Sequence, residues 1–317
     1  MFTMRFDIQV GTWKLGMVEK VTVRRSVEEL ADTAVIELPG AEYNAALQVE
    51  DKLHRGDRVL IDLGYEEVGM VREFEGWVQR VGTDGGAITL ECEDDLYLFR
   101  KALPDEQLQN VTLSALLARV VEGVGGGFTV DCSYSWTYQK FVISSATGYD
   151  VLKKVQEECG ADIYIEGKTL HVHGPGEKVG NTVIYDFTRN VQESSLTYRR
   201  TEDRKVRVVV KALMPDGKVK EREYGTTGGD RVTVRAASPD DASMRLRGES
   251  EHKRLTFDGY DGNIVTWLVP YIKPGDKAEL HDPEYEYKDG AYYVRAVETE
   301  FSSEGGRRTV ELGYRLL

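Results

Sequence analysis

Two histidines, His171 and His173, stand two residues apart and alternate with Leu170 and Val172. This alternation places both imidazoles on one face of a predicted strand, a spacing that can present two nitrogen ligands to one metal ion. A metal site needs a third ligand, and the neighbouring residues suggest none. We therefore interpret the pair as solvent-facing histidines on a hairpin, and we predict no metal site.

Four carboxylates lie close together at Glu91, Glu93, Asp94 and Asp95. Glycoside hydrolysis uses two carboxylates held about 5–10 Å apart across a cleft, and one sequence cannot show such a cleft. Charges on the outward face of a strand and its turn explain the cluster more simply. A cell-wall glycan hydrolase that uses Glu91 or its neighbours is kept as a minor alternative.

Two further motifs also have structural interpretations. Asp258, Asp261 and Asn263 suggest a calcium loop, but the alternate-residue ligand spacing is missing. We expect a turn there that leads into a strand at Ile264. Arg55-Gly56-Asp57 spells an adhesion tripeptide, and we interpret it as a turn.

The glycine-rich segment 123–127 follows a predicted helix, so it matches neither a dinucleotide nor a phosphate loop. The sequence also contains none of the common motifs for a serine, cysteine or metal-dependent hydrolase. We predict no catalytic residues, no cofactor-binding residues and no cofactor, and we predict that the chain is not an enzyme.

Composition limits the remaining classes. The chain has 317 residues and a formal net charge of −13, which argues against a non-specific nucleic-acid binder because such proteins need surplus Lys and Arg. We expect no secretory signal and no membrane span. Three scattered cysteines predict folding in a reducing cytoplasm without disulfides.

The elements that position these residues follow from hydrophobic periodicity. Residues 1–103 alternate with period two between Gly-Asp and Pro-Gly turns, which predicts a small β-barrel or β-sandwich. Residues 104–178 predict an α+β insert. Its two helices are capped by Thr112 and by Thr147 with Asp150, and the second helix ends at Gly160.

Residues 179–317 return to the β pattern, with an insertion around 215–260. Met214–Gly217 predicts a turn, and the strand after it is charged on both faces, as at a sheet edge. Ser238-Pro239 predicts the start of a helix that runs to about Leu255. A strand is expected over Ile264–Tyr271.

An internal repeat relates the first and last segments. Each match is weak alone, but the order and the nearly equal spacing indicate two related β domains around the insert. The paired segments are His54–Ile61 with Ile272–Leu280, Gly85–Glu91 with Gly305–Glu311, Val21–Ser26 with Leu196–Thr201, and Ala34–Leu38 with Val206–Val210.

Four segments together resemble a known family. They are Tyr149–Gly160, Ile163–Val172, Asp186–Leu196 and Pro270–Asp276, and they are similar to the phage baseplate hub family. This family includes late control protein D of contractile tails and the hub part of type VI secretion spike proteins. The resemblance implies a mainly β fold in which two related tube-like β-barrel domains flank a small α+β domain.

The resemblance also implies a structural function. Such hubs are homotrimers whose six similar barrels enclose a channel, with pseudo-six-fold symmetry toward a hexameric tail tube protein and three-fold symmetry toward a spike protein. We expect these partners, other baseplate proteins, and a location in a virion tail or a prophage-encoded particle assembled in the host cytoplasm. The chain ends after the second β copy, so the spike is expected to be a separate polypeptide.

The acidic charge then suggests a hypothesis about the channel. Acidic side chains along its wall would repel phosphate, so that DNA passes without specific binding. A receptor- or carbohydrate-binding tail module, favoured by 17 tyrosines, is the main alternative to the hub.

Overall fold

The computed structural model describes residues 2–39, 52–84, 87–214, 216–236 and 238–316. The first β unit consists of seven strands whose inward side chains alternate with exposed ones. These strands are β1 (Met4–Val10), β2 (Trp13–Leu15), β3 (Lys20–Ser26), β4 (Thr33–Leu38), β5 (Arg58–Tyr65), β6 (Gly69–Asp84) and β7 (Ala87–Glu93).

The insert follows a short 3₁₀ helix at Asp95–Arg100. Its elements are β8 (Glu106–Thr112), α1 (Leu113–Val124), β9 (Thr129–Cys132), β10 (Thr137–Ile143), α2 (Gly148–Cys159), β11 (Asp162–Glu166) and β12 (Thr169–His173). The predicted caps are confirmed: Thr112 accepts from the backbone of α1, and Thr147 forms a capping box with Asp150. Gly160 is left-handed and ends α2.

The remaining chain folds into two groups of elements. In chain order they are β13 (Thr182–Asp186), β14 (Glu193–Arg199), β15 (Val206–Leu213), β16 (Val219–Gly225), β17 (Asp230–Ala236), α3 (Asp241–Leu255), β18 (Gly259–Thr266), β19 (Lys277–His281), β20 (Gly290–Ser302) and β21 (Gly305–Leu316). We call β13, β14 and β18–β21 the second β unit, and β15–β17 with α3 the side sheet.

One sheet runs through both β units in the order β2-β1-β5-β6-β7-β4-β3-β20-β21-β18-β14, and β19 and then β13 extend from β20. The order within the first unit repeats in the second, with β3, β4, β7, β6 and β5 matching β14, β18, β21, β20 and β19. A β-bulge also recurs at the same place, beside Val78 in β6 and beside Val294 in β20. The predicted fold class is confirmed, because the chain is mainly β and its helices lie in small α+β parts.

The two Gly-Asp turns show that the copies match in detail. Gly56 N–H donates to the Val78 carbonyl at 2.8 Å, and Gly275 N–H donates to the Val294 carbonyl at 2.9 Å. Their φ angles are +90° and +87°, in the region that glycine adopts without steric cost. The predicted structural function of these turns is therefore confirmed.

Two parts of the predicted repeat are wrong. Val206–Val210 does not correspond to Ala34–Leu38 in the repeat. It lies in β15, which pairs only with β16 and β17 among the described strands. The strand of the second β unit that corresponds to β4 is β18. The match of Val21–Ser26 with Leu196–Thr201 is shifted by two residues. The strand registers make Val23, and not Val21, the counterpart of Leu196.

Two boundaries also differ from prediction. α3 begins at Asp241 with Asp240 as its N-cap, because the Asp240 carboxylate accepts from Ser243 N at 2.8 Å. The strand expected over Ile264–Tyr271 instead covers Gly259–Thr266, where β14 and β21 supply its neighbours.

Other expectations have mixed outcomes. The charged strand β16 is an exposed edge, as predicted. Pro215, in the predicted Met214–Gly217 turn, and Gly85-Gly86, at the start of a predicted repeat segment, lie outside the described residues. The boundaries 1–103, 104–178 and 179–317 stay predictions.

The described residues form three large hydrophobic cores and one small cluster of Val27, Tyr293 and Tyr314. Each β unit has its own core, whereas the insert and the side sheet share one that contains Leu116, Val155, Val208 and Met244. The apolar side chains of β15 thus pack into the core of the insert. Cys92, Cys132 and Cys159 are free, and no helix among the described residues is long and apolar enough to cross a membrane.

The aspartates of the two turns differ in burial. Asp57 accepts from His54 N at 2.8 Å, and Asp276 accepts from Lys273 N at 3.0 Å. Asp276 is only 2% exposed and also accepts from Asn181 N at 2.8 Å. The second turn therefore holds the start of the second β unit as well as its own loop.

We expect Asp276→Ala to reduce the free energy of unfolding by more than Asp57→Ala does. Loss of Asp276 leaves two backbone donors without their acceptor, and each buried unpaired donor costs about 1–3 kcal/mol. Urea unfolding of both variants measures the difference. Equal losses would contradict the distinction between the turns.

Candidate functional site: the junction of the two β units

The two β units are joined by direct strand pairing, because β3 runs antiparallel to the second half of β20. Several ion pairs cross the junction. In two of them, Lys20 Nζ lies 2.6 Å from Glu300 Oε1, and Arg24 Nη1 lies 2.7 Å from Glu311 Oε1. Such partly exposed pairs add little stability. The backbone ladder and the buried side chains beneath it hold the units together.

A buried ion pair lies under this junction. Arg308 of β21 is fully buried and Glu73 of β6 is 2% exposed. The Arg308 guanidinium donates to Glu73 and to the carbonyls of Leu268 and Pro270, the last at 2.9 Å. Thr299 Oγ1 donates to the other Glu73 oxygen at 3.3 Å. The pair thus connects a strand of each β unit inside the protein.

The electrostatics of Glu73 reflect this position. Burial raises the pKa of Glu73, and the positive charges of Arg308 and Arg25 oppose the rise. A buried charge that loses its partner is strongly destabilising. Sequence reasoning missed this pair, although Arg308 shares the inward alternating face of Val310 and Leu312.

A charged cleft of about 390 Å³ opens beside the pair, where both β units meet the β11–β12 turn. Arg25 donates to the Tyr271 hydroxyl at 2.9 Å and to Asp32 Oδ2 at 2.9 Å. Lys273 Nζ lies 2.5 Å from Glu166 Oε1 of the insert. All three parts of the chain therefore contribute polar contacts to one region.

Two members of the predicted carboxylate cluster are buried, which corrects the interpretation of an outward face. Glu93 accepts from Arg100 Nε and Nη2 at 2.7 and 2.8 Å. Asp95 accepts from Trp77 Nε1 at 2.8 Å and from Arg58. These arginines and the indole come from β5, β6 and the 3₁₀ helix, so the carboxylates connect elements of the first β unit and its end.

The other two carboxylates also have structural partners. Glu91 accepts from Arg80 Nε at 3.0 Å. Asp94 caps the 3₁₀ helix, accepting from Leu96 N at 2.9 Å and from Asp32 N at 3.2 Å. Burial, followed by the nearby charge of Asp32, raises the pKa of Asp94.

The turn expected at the candidate calcium residues is wrong. These residues lie in β18 and directly before it. Asp261 and Asn263 occupy the strand itself, where Asp261 pairs with Arg199 of β14. Asp258 Oδ1 accepts from Thr201 N at 2.6 Å. The pairing with β14 extends the strand toward its N-terminal end and uses these side chains.

The remaining motifs have structural functions. Gly125, within segment 123–127, ends α1 and donates its N–H to the Val121 carbonyl at 2.9 Å. Asp57 of the adhesion-like tripeptide accepts a backbone hydrogen bond inside its own turn, while Arg55 is exposed.

The histidine pair is not solvent-facing, which corrects the sequence interpretation. His173 is 1% exposed, and His171 is half-buried. β12 pairs in parallel with β9, which places Asp131 opposite His171. His173 also lines a cavity shared with Asp276 and Tyr293 of the second β unit. The carboxylate lies 40 positions earlier in the chain, beyond the reach of local pattern analysis.

Asp162 provides a second contact between the insert and the second β unit, and sequence reasoning also missed it. Its Oδ2 accepts from Gly176 N at 2.8 Å and from the Tyr293 hydroxyl at 3.1 Å. Burial raises the pKa of Asp162 to about 7, although both donors oppose the rise.

Comparison with solved structures identifies the fold. A tail protein from Neisseria meningitidis aligns with a TM-score of 0.68 and 14% identity, covering 98% of this chain and 96% of that chain. The 43 kDa tail protein of a Shewanella oneidensis prophage aligns with a TM-score of 0.66 and 15% identity, covering 98% and 97%. The chain therefore has the fold of these two tail proteins.

A component of the Escherichia coli type VI secretion system has the same fold. It aligns with a TM-score of 0.61 and 8% identity, covering 98% of this chain and 79% of that chain. No protein-family model and no curated protein matches the sequence. The fold expected from the family resemblance is confirmed.

We expect Arg308→Met to lower the free energy of unfolding by about 3–5 kcal/mol, because Glu73 is left buried and unpaired. Adding Glu73→Met should cost less than the sum of the two single changes. Chemical unfolding of the double-mutant cycle measures this coupling. Lys20→Met, at an exposed pair, is the control and should change stability by less than about 1 kcal/mol. Additive losses at Glu73 and Arg308 would contradict the coupling.

The raised pKa of Asp162 makes the free energy of unfolding depend on pH. Its folded-state pKa is raised, so the folded chain holds a proton that the unfolded chain has lost between about pH 4 and pH 7. Stability should fall as pH rises through this window, by about 1.4 kcal/mol for each unit of pKa difference. The Asp162→Asn variant should lose this slope, measured as the free energy of unfolding at several pH values. An unchanged slope would contradict the assignment.

Proposed function

We propose that the chain is a structural hub of a phage tail or a related contractile injection machine, in which three copies close into a ring. The single observation that carries this proposal is the pairing of β3 with β20 inside one chain. This pairing shows how one β unit is joined to the next. In a ring of three chains, the same kind of junction would recur between chains.

Both strands needed for a junction between chains have free edges. β14, the counterpart of β3, pairs only with β18 among the described strands. β6, the counterpart of β20, pairs with β5 only as far as Trp77, and residues 79–84 have β7 as their one strand neighbour in the described chain. Unpaired edges are templates for pairing with another chain.

Burial supports the same assignment. In β20, Ala296 and Val297 are 1% and 2% exposed, because β3 covers this half of the strand. At the equivalent positions of β6, the Arg80 side chain is 68% exposed and Val81 is only half-buried. An open groove runs beside them, lined in part by His54. The second unit already holds a strand at the position that the groove leaves open in the first.

A closed ring of three chains would explain why the β unit is duplicated. A head-to-tail contact between β6 of one copy and β14 of the next is heterologous and forms a ring when the rotation closes. Three chains with two β units each then present six similar units. We infer that this pseudo-six-fold face meets a hexameric tail tube protein, and that the other end meets a three-fold spike protein and other baseplate proteins.

The net charge of −13 supports a further part of the proposal. Acidic side chains that line the ring channel would repel phosphate, so that DNA passes without specific binding. A virion tail or prophage-encoded particle, assembled in the host cytoplasm, is the corresponding location. A strongly basic lumen in an experimental structure of the ring would contradict the channel hypothesis.

A cysteine cross-link tests the ring. Transferring the register of Arg24 opposite Glu298 to the counterpart strands places Thr197 of β14 opposite Gly82 of β6 in the next chain. A Cβ at Gly82 meets only one backbone oxygen, at 3.7 Å. We expect Gly82→Cys/Thr197→Cys to form interchain disulfides under oxidation, giving species up to three times 35.7 kDa in denaturing gels.

Each single-cysteine variant is a control and should give no closed trimer. The assembly of tail-tube subunits on the purified chain, followed by electron microscopy, tests the partner separately. If the double variant remains monomeric at every concentration, both alone and with tube and spike proteins, the ring is excluded.

A further inference from the structure

Three metal-ligating side chains converge at one end of the sheet formed by β9, β12 and β11. His171 Nδ1 lies 3.0 Å from Asp131 Oδ2, and His173 Nε2 lies 3.5 Å from the same oxygen. One ligand atom of each residue lies within 4.8 Å of the others. Among the described residues, no other group of His, Cys, Asp and Glu side chains meets this distance criterion.

His173 is oriented as a metal ligand would be. Its Nδ1 lies 2.6 Å from Ser133 Oγ, so one ring nitrogen has a hydrogen-bond partner. Its Nε2 is buried, has no hydrogen-bond partner and faces Asp131. Buried polar atoms are normally satisfied. Metal-bound histidines usually hold their second nitrogen through such an outer hydrogen bond.

We propose that Asp131, His171 and His173 form a binding site for a divalent transition metal of the zinc class. Two imidazoles and one carboxylate suit zinc, cobalt and nickel better than calcium or magnesium. Bonds of about 2.0–2.2 Å in tetrahedral geometry place ligand atoms about 3.4 Å apart, close to the 3.0 and 3.5 Å between Asp131 Oδ2 and the two imidazole nitrogens. The three protein ligands leave a fourth position for water.

Lys178 completes the surroundings of the site. Its Nζ lies 2.5 Å from Asp131 Oδ2 and its side chain is half exposed. Tyr164 stacks on His171 with ring centroids 4.8 Å apart and fixes the ring orientation. The lysine provides the positive charge that a metal ion would otherwise supply, so metal binding requires Lys178 to swing toward solvent. Lys178 is thus a competitor of the metal.

The structural consequence concerns the connection between the insert and the second β unit. Lys178 lies in the segment that leads to Gly180, whose N–H donates to the Gly275 carbonyl at 2.8 Å. A metal bound by β9 and β12 would brace the end of the insert's sheet next to this connection. The site would therefore stabilise the protein without any catalytic step.

The test uses the full chain after chelator treatment, titrated with Co²⁺ and with Zn²⁺. We expect one equivalent of Co²⁺ to bind with visible absorption of a tetrahedral site, and Zn²⁺ to displace it and raise the melting temperature. His171→Asn and Asp131→Asn should each weaken binding at least tenfold. Both residues are more exposed than His173, so these variants should fold, and circular dichroism checks this.

Two further variants complete the design. His281→Asn is the matched control, because His281 also lies near two carboxylates, at Glu279 and Asp289, but on the surface. It should leave Co²⁺ binding unchanged. Lys178→Met removes the competing charge and should tighten binding. If wild-type protein binds no Co²⁺, or if His171→Asn binds it equally well, the proposal is overturned. Binding by Lys178→Met alone would also overturn it, because the natural site would then be a lysine-closed ion-pair cluster.

Discussion

The pairing of β3 with β20 is the interaction on which the arrangement of the chain depends. It makes one continuous sheet from two β units that are far apart in sequence, and it covers the buried pair of Glu73 and Arg308. Because that pair takes one residue from each unit, the two units cannot separate without exposing or isolating a buried charge. The junction is therefore a fixed structural connection, unlike the flexible linker that a duplicated chain could also have.

The differences between the two copies carry as much information as their similarity. Strand order, the Gly-Asp turns and a β-bulge all match, yet only one copy of the junction is completed within the chain. The other copy leaves β14 and the end of β6 with one strand neighbour each among the described elements, β18 and β7 respectively. One paired edge and one open edge are the features on which the proposed head-to-tail ring depends.

Hydrogen bonds between buried side chains connect the insert to the second β unit. Asp162 reaches Gly176 and Tyr293, and the cluster of Asp131, His171 and His173 lies beside the same connection. Buried polar groups need partners to be tolerated. They therefore restrict how the insert sits on the second β unit more strictly than an apolar contact of similar size would.

The sequence by itself determined the local structure: the alternating strands, the Thr112 and Thr147 helix caps, and the duplication marked by Gly56-Asp57 and Gly275-Asp276. These features depend on neighbours within a few residues, so periodicity and capping chemistry reveal them. Only the tertiary structure decided that Val206–Val210 belongs to the side sheet, that Glu73 meets Arg308, and that Asp131 meets the histidines. Those contacts join residues far apart in the chain, and nothing in the local pattern of one partner specifies the other.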